Sequence, residues 1–155
     1  MIKIYNNYSL LPHNTFGIEA TAATFVDFSS VDALKQYLAE EFKGHPLVIG
    51  EGSNLLFAGD YDGTVFHSSI KGIEITAETH SHILLRVGSG VNWDELVAFT
   101  VEKGWCGLEN LSSIPGEVGA SAVQNIGAYG VEVKDVIKTV YCYDTVEEEF
   151  VNFDV

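Results

Sequence analysis

Gly107-Leu108-Glu109-Asn110-Leu111-Ser112-Ser113-Ile114-Pro115-Gly116-Glu117-Val118-Gly119-Ala120-Ser121-Ala122-Val123-Gln124-Asn125-Ile126-Gly127-Ala128-Tyr129-Gly130 is one continuous run, and with Gly104 it holds six of the chain's fifteen glycines. It is too apolar for a flexible linker, and an ordered loop of this length is usually functional. Before it, Asn92 stands three residues ahead of Glu95, an Asn version of the capping box, and Leu96, Val97, Thr100 and Val101 mark a helix that Gly104 ends. After it, Val136, Lys138, Val140 and Cys142 on one phase and Ile137, Thr139, Tyr141 and Tyr143 on the other predict a long strand. Apolar residues on both phases predict a central position. An acidic turn from Asp144 to Glu149 leads to a return strand, Phe150-Val151-Asn152-Phe153. A hairpin that stops within its second strand at Val155 predicts a truncated piece of a longer protein.

The first half reads as mixed helix and strand. Leu10 to Gly17 is irregular, Ala23 to Phe28 is strand-like, and Val31, Leu34, Leu38 and Phe42 recur at helical spacing between a Ser29 or Ser30 cap and a stop at Gly44. Pro46-Leu47-Val48-Ile49 predicts a short buried strand delivering the chain to the loop Gly50-Glu51-Gly52-Ser53-Asn54. Leu55-Leu56-Phe57 and Thr64-Val65-Phe66-His67 predict strands around a turn at Gly59 to Gly63. Ile73-Glu74-Ile75-Thr76 alternates, and Ile83 to Val87 follows as further β structure after the polar turn near Glu78-Thr79-His80.

The chain of 155 residues carries 8 Lys or Arg against 22 Asp or Glu, a formal net charge of −14. That balance excludes a nucleic-acid-binding surface, which needs a basic face, and excludes an anionic membrane surface on the same ground. A domain of this size buries roughly 68–70 % of its unfolded surface and needs no staple. Nothing approaches the ~20 apolar residues of a membrane span, and the start has no signal-peptide run, so a cytoplasmic location is expected. Cys106 and Cys142 have no metal-ligand spacing and are expected to be two buried, reduced thiols. His80-Ser81-His82 lacks a third ligand and predicts a surface turn.

No Lys or Arg lies between Lys43 and Lys71, nor between Lys103 and Lys134. An anion held by either glycine loop must therefore meet backbone N–H groups, hydroxyls and helix dipoles. A P-loop is excluded because Gly50-Glu51-Gly52-Ser53-Asn54 has no Gly-Lys-Ser/Thr ending. A Rossmann fingerprint fails too, since Leu55 follows Gly50 and Gly52, and Trp93 follows Gly88 and Gly90, where a third glycine belongs. Taken with Ile114-Pro115-Gly116 and Asn125-Ile126-Gly127, these loops suit a long phosphate-containing ligand. Ser112, Ser113 and Ser121 sit in no nucleophile elbow, and Glu51 either orients its loop or acts as a catalytic carboxylate.

Asn14-Thr15-Phe16-Gly17, Gly50 to Leu56, Gly107 to Leu111, Ile114 to Gly119 and Asn125 to Gly130 closely resemble the UDP-N-acetylenolpyruvoylglucosamine reductase family, in order and spacing, from about Asn14 to Val136. The resemblance implies an α+β fold, the two-lobed FAD-binding domain of the vanillyl-alcohol-oxidase (PCMH) type. It implies a first lobe over 1–67, an incomplete second lobe over 68–155, FAD between them, and a substrate domain lying beyond this chain. By motif, Gly50, Glu51, Gly52, Ser53, Asn54 and Leu55 would hold the pyrophosphate. Ile114, Pro115, Gly116, Gly119, Ala120 and Ser121 would line the path toward the ring system, and Val123, Gln124, Asn125, Ile126 and Gly127 the ribityl, adenosine or ring parts. Tyr129 lies toward the substrate or is a core aromatic.

The implied reaction uses NADPH and FAD to reduce UDP-N-acetylglucosamine enolpyruvate to UDP-N-acetylmuramate for peptidoglycan. The family's proton-donating Ser and enol-stabilising Arg and Glu belong to motifs that do not occur here, so no catalytic residue is assigned and the piece alone is expected to be inactive. The alternatives are another flavin oxidoreductase of this fold and a nucleotide-binding module without chemistry.

Overall fold

The computed structural model describes residues 1–40, 42 and 46–155, residue 40 by its backbone alone. Two compact units divide it: residues 1–69 with 141–151, and residues 70–140 with 152–155. The first break thus falls two residues past the expected one, and residues 141–151 group with the first unit rather than the second.

The first unit is built on a four-stranded sheet. Strand β1 (Ile2–Ser9) runs antiparallel to β2 (Thr21–Phe28), which leads into helix α1 (Val31–Glu40), strand β3 (Leu47–Ile49) and strand β4 (Tyr61–Ser68). The order across the sheet is β1-β2-β4-β3, with β4 parallel to both β2 and β3. The register Phe25↔Val65 and Val26↔Phe66 puts cross-strand partners on shared faces. On one face Phe25 and Val65 pack with Leu10, Ala20, Ala22 and Ile49. On the other, Phe66 meets the rings of Tyr37 from α1 and Phe42, at 5.9 and 5.2 Å. The Ser30 hydroxyl accepts from the Ala33 N–H at 3.3 Å, so the second of the two expected serines caps α1. The expected stop at Gly44 lies outside the described residues. Strand β1 was not foreseen, because its exposed residues Lys3 to Asn7 give no apolar alternation. The strand expected at Leu55-Leu56-Phe57 is absent: Leu55 and Phe57 drop into the core beside β3 while Leu56 stays 69 % exposed.

In the second unit the two expected strands, β5 (Ile73–Glu78) and β6 (Ile83–Val87), are present and pair antiparallel. Helix α2 (Trp93–Glu102) begins at Asn92, whose side-chain oxygen accepts from the Glu95 N–H at 3.1 Å. The glycine-rich run is not a single loop. It contains a 3-10 turn at Glu109–Leu111, a seven-residue helix α3 (Val118–Gln124) and a small ribbon of β7 (Gly127–Ala128) and β8 (Val131–Glu132). Val91, Trp93, Leu96, Val97, Leu111 and Val133 form the core of this unit. Cys106 is exposed and Cys142 half-buried, not buried as expected, and both are free. Among the described residues no helix is long and apolar enough to cross a membrane.

The long central strand expected over Val136 to Tyr143 is instead β9 (Thr139–Asp144), paired with β10 (Glu149–Asp154) in a two-stranded sheet. A 3-10 turn at Val133–Asp135, closed by the Asp135 carboxylate accepting from the Glu132 N–H, delays its start. Tyr141, Phe150 and Phe153 are exposed. In the connecting turn the Asp144 carboxylate accepts from the N–H groups of Val146 and Glu147 at 2.8 and 3.0 Å, and the Glu147 bond, then the Val146 bond, holds its carboxyl below the ordinary value. A carboxyl lowered on folding stabilises fully above its unfolded value and ceases to as pH falls through the folded one. Amide exchange at Val146 and Glu147, corrected for intrinsic rates, is therefore expected to show steady protection down to about pH 5 and loss of it below about pH 4. Asp144→Asn should abolish that dependence; protection unchanged down to pH 2 in the unsubstituted chain contradicts it.

Candidate functional site

Two glycine loops, one in each unit, carry the site residues that the sequence suggests. In the first unit β3 ends at Ile49 and the chain turns through Gly50 to Leu55. Gly52 is buried with φ +68°, and a Cβ there would sit 1.8 Å from the carbonyl oxygen of His13. Glycine is therefore required by the chain's own backbone, independently of any ligand. Asn14, 5 % exposed, donates from Nδ2 to the carbonyls of Leu10 and Ile18 and accepts from the Ile18 N–H, each at 2.9 Å. The Thr15 hydroxyl donates to the Ser53 carbonyl at 3.4 Å. The motif Asn14 to Gly17 and the loop Gly50 to Asn54, far apart in sequence, thus form one piece.

Behind this piece the His13 ring lies 4.7 Å from that of Phe25 and 4.8 Å from that of His67. His67 Nδ1 is 3.1 Å from Asp27 Oδ1, which also accepts from the Ser69 hydroxyl. Tyr8 closes the group, its hydroxyl 3.4 Å from His13 Nε2, and burial, then the charges of Tyr5 and Asp27, raises its pKa. Glu51 and Ser53 are half-buried, Asn54 is exposed, and the Leu55 side chain packs on the core.

In the second unit the segment Ser89 to Asp94 lies alongside residues 111–119. Gly119 N–H donates to the Ser89 carbonyl at 2.8 Å and Val118 N–H to the Val91 carbonyl at 2.9 Å, Asn92 and Glu117 form an antiparallel bridge, and Trp93 N–H donates to the Gly116 carbonyl at 2.9 Å. The Trp93 indole N–H reaches the Leu111 carbonyl at 2.8 Å. Asp94 Oδ1 accepts from the Ser112 hydroxyl at 2.9 Å and the Ser113 N–H at 2.7 Å, and the Ser113 bond, then the Ser112 bond, lowers its carboxyl. At Gly119 a Cβ would approach that of Ser89 to 2.7 Å, so this glycine admits the close pairing of the two segments.

The remaining candidates separate by exposure. Pro115, Gly119, Val123, Gln124, Gly127 and Tyr129 face solvent; Ile114, Ala120, Asn125 and Ile126 are half-buried; Gly116 and Ser121 are buried. Tyr129 is 89 % exposed, which removes the reading as a core aromatic. The Ser121 hydroxyl donates to the Val118 carbonyl at 2.7 Å inside α3, and Ile114 and Ile126 pack on the unit's core. Asn125 ends α3 in the left-handed conformation, its side-chain oxygen accepting from the Lys134 N–H at 3.2 Å. His80 and His82 are exposed, and the described residues hold no cluster of three or more potential metal ligands. The sequence singles out Gly88-Ser89-Gly90 as a Gly-x-Gly turn but gives no sign of Val91, Asn92 or Asp94 as part of the site. The capping box marks Asn92, but the pairing of this segment with residues 111–119 leaves no local signature.

Neither glycine loop carries a Lys or Arg of its own, so each offers backbone N–H groups and hydroxyls; in the second unit the Lys71 ammonium donates to the Gly90 carbonyl, and Val123 and Tyr129 are exposed apolar side chains. Such a set suits a ligand that is part phosphate and part flat ring system.

Residues 23–150 match the FAD binding domain family, and the chain belongs to it. Its α+β architecture accords with that membership, and its cofactor is FAD. Beyond the family, the chain is 60 % identical over 131 residues to the UDP-N-acetylenolpyruvoylglucosamine reductase of Bacteroides fragilis (strain YCH46), a match covering 84 % of this chain and 40 % of that protein. It is 49 % identical over 142 residues to the reductase of the same name from Porphyromonas gingivalis (strain ATCC 33277), covering 90 % of this chain and 42 % of that protein. The chain thus spans about two fifths of the length of these relatives. The crystal structure of UDP-N-acetylenolpyruvylglucosamine reductase (MurB) from Thermus caldophilus shares the fold with a TM-score of 0.74 at 24 % identity, covering 99 % of this chain and 52 % of that one.

Two glycines separate conformation from space. Gly17 and Gly52 have φ of +65° and +68°, yet a Cβ at Gly17 meets nothing within 4 Å. Gly17→Ala is expected to lower the unfolding free energy by about 1 kcal/mol, the cost of a left-handed alanine. Gly52→Ala should cost well over that, about 3 kcal/mol or more, because the His13–Asn14 backbone must also move. Urea denaturation of both variants measures the difference, and equal losses would contradict the role given to His13.

Proposed function

We propose that this chain is the FAD-binding part of an NADPH-dependent reductase that converts UDP-N-acetylglucosamine enolpyruvate to UDP-N-acetylmuramate for peptidoglycan synthesis. The observation that carries the reading is the 60 % identity to a reductase of that name over 131 residues. Two glycine loops free of cations, each anchored by its own chain, support it from the geometry.

In this reading Gly50 to Asn54 hold the cofactor's pyrophosphate through backbone N–H groups and hydroxyls, and Leu55 anchors the loop to the core. Ile114, Pro115, Gly116, Gly119 and Ala120 line the path to the ring system. Ser121 contributes through its place in α3, its hydroxyl being occupied. Val123, Gln124, Asn125, Ile126 and Gly127 border the ribityl, adenosine or ring parts, and exposed Tyr129 faces the substrate. The bound flavin supplies two-electron transfer between NADPH and the enol ether. This chain's residues bind and orient the cofactor; the proton that completes reduction at the neighbouring carbon, and the charge that stabilises the enol, come from groups outside these 155 residues. NADPH and the UDP-sugar are cytoplasmic solutes, which gives the protein its location.

Titrating the purified chain with FAD is expected to shift the flavin's visible band and quench its fluorescence at one FAD per chain; an unchanged spectrum overturns the cofactor assignment. Catalysis is tested by exchanging the matching two fifths of the Bacteroides fragilis reductase for this chain. The chimera should form UDP-N-acetylmuramate, and a chimera that binds flavin yet makes none contradicts the substrate reading.

The chain by itself, given FAD, NADPH and the enolpyruvate, is expected to fall at least about 10⁴-fold below that chimera. A missing general acid costs ~10²–10⁴-fold and a missing oxyanion stabiliser ~10²–10³-fold. The only arginine, Arg86 on β6, belongs to none of the family motifs. Comparable product by mass spectrometry would place the catalytic groups in this half.

A further inference from the structure

Ser113 has φ +63°, a left-handed conformation that a residue with a Cβ adopts only when its surroundings hold it there. It immediately precedes Ile114-Pro115-Gly116, of which Ile114 and Pro115 are stiff. The proline ring fixes φ of Pro115 and removes its N–H, and the residue before a proline is confined to extended conformations. With Ile114 and Pro115 unable to bend, the dihedral angles of Ser113 aim the whole segment. Its far end is tied where Gly116 accepts from the Trp93 N–H at 2.9 Å. Its near end is tied by the next residue of α2, for Asp94 Oδ1 accepts from the Ser113 N–H at 2.7 Å and the Ser112 hydroxyl at 2.9 Å.

We propose that Asp94 is a positioning residue for the cofactor: its carboxylate holds Ser113 in the left-handed conformation and so sets the path of Ile114 to Gly119. This rests on the reading of that segment as cofactor-lining. Asp94 is not assigned a contact with the flavin; it acts through Ser113. The two bonds to one carboxylate oxygen also explain how serine, rather than glycine, is tolerated at this turn.

The mechanism gives a specific form of rescue. If Asp94 serves to hold Ser113 left-handed, a glycine at position 113, which reaches that conformation unaided, should make Asp94 dispensable. Four variants test it: Asp94→Ala, Asp94→Asn, Ser113→Gly and the double variant Asp94→Ala with Ser113→Gly. Each is read by amide exchange at Trp93, Ser112, Val118 and Gly119, whose N–H groups donate to backbone carbonyls and not to Asp94, in the flavin-free chain, and by the FAD dissociation constant. Asp94→Ala is expected to speed exchange and weaken FAD binding, each about tenfold or more, the size of coupling typical of residues in direct contact. Asp94→Asn, which keeps an accepting oxygen, and Ser113→Gly should each stay within about threefold of the unsubstituted chain, and the double variant should return to that range. Both residues are exposed, so neither substitution opens the core. Unchanged exchange in Asp94→Ala, or a double variant no better than Asp94→Ala, overturns the proposal. The expected exchange pattern in a chain that takes up no flavin upholds the hold on Ser113 and assigns the failure to the cofactor reading.

Discussion

The pairing of Ser89–Asp94 with residues 111–119 is the constraint on which the second unit depends. Three backbone hydrogen bonds, an indole N–H and a carboxylate tie six consecutive residues to nine others, with Gly119 allowing the close approach. Because Trp93 and Val91 are also at the centre of the hydrophobic core, the same residues that bury apolar surface fix the loop's backbone. Water cannot loosen the loop without first unseating part of the core. An apolar, glycine-rich run, which in isolation would sample many conformations, is thereby confined to one.

The first unit reaches the same end by other means. There the loop after β3 is pressed against the His13–Asn14 backbone, and the amide of Asn14, making three hydrogen bonds while buried, fixes the turn it presses on. The aromatic and histidine rings behind that turn connect it to β2 and β4 through Phe25, His67 and Asp27. In both units a glycine that looks like an invitation to a ligand is first of all a place where two segments of the chain meet.

This explains what was legible in the sequence. Elements whose signal is local came through: the Asn92 cap and the helix it starts, the alternation of β5 and β6, and the short apolar β3. Elements that depend on distant partners did not. Strand β1 has an exposed face and exists because β2 lies beside it, and α3 hides in a run whose glycines argue against helix until Ser89 and Val91 supply the partners for its first N–H groups. Two-phase apolarity put β9 at the centre of a sheet, but apolar content reports the tendency to be covered, not which segment covers. The glycine loops themselves were found by motif, whereas two residues that hold them, His13 and Asp94, carry no pattern of their own.

The charge of the chain gives this rigidity its purpose. At −14, and with no Lys or Arg within either glycine loop, the chain has no net field that attracts an anion, and the loops themselves offer it no ion pair. On the proposed reading the loops' donors are neutral N–H and hydroxyl groups, whose attraction falls off faster with distance and depends more steeply on angle than that of a lysine or arginine. A flexible lysine can find a phosphate; a peptide N–H must already point at it. Binding through such donors requires that the ordering of the loop be completed on folding rather than at the encounter, since any residual freedom would be subtracted from a modest interaction. Left-handed turns at Gly52, Ser113 and Gly116, each of which orients a peptide group away from ordinary helix or strand, are workable only in loops fixed this firmly.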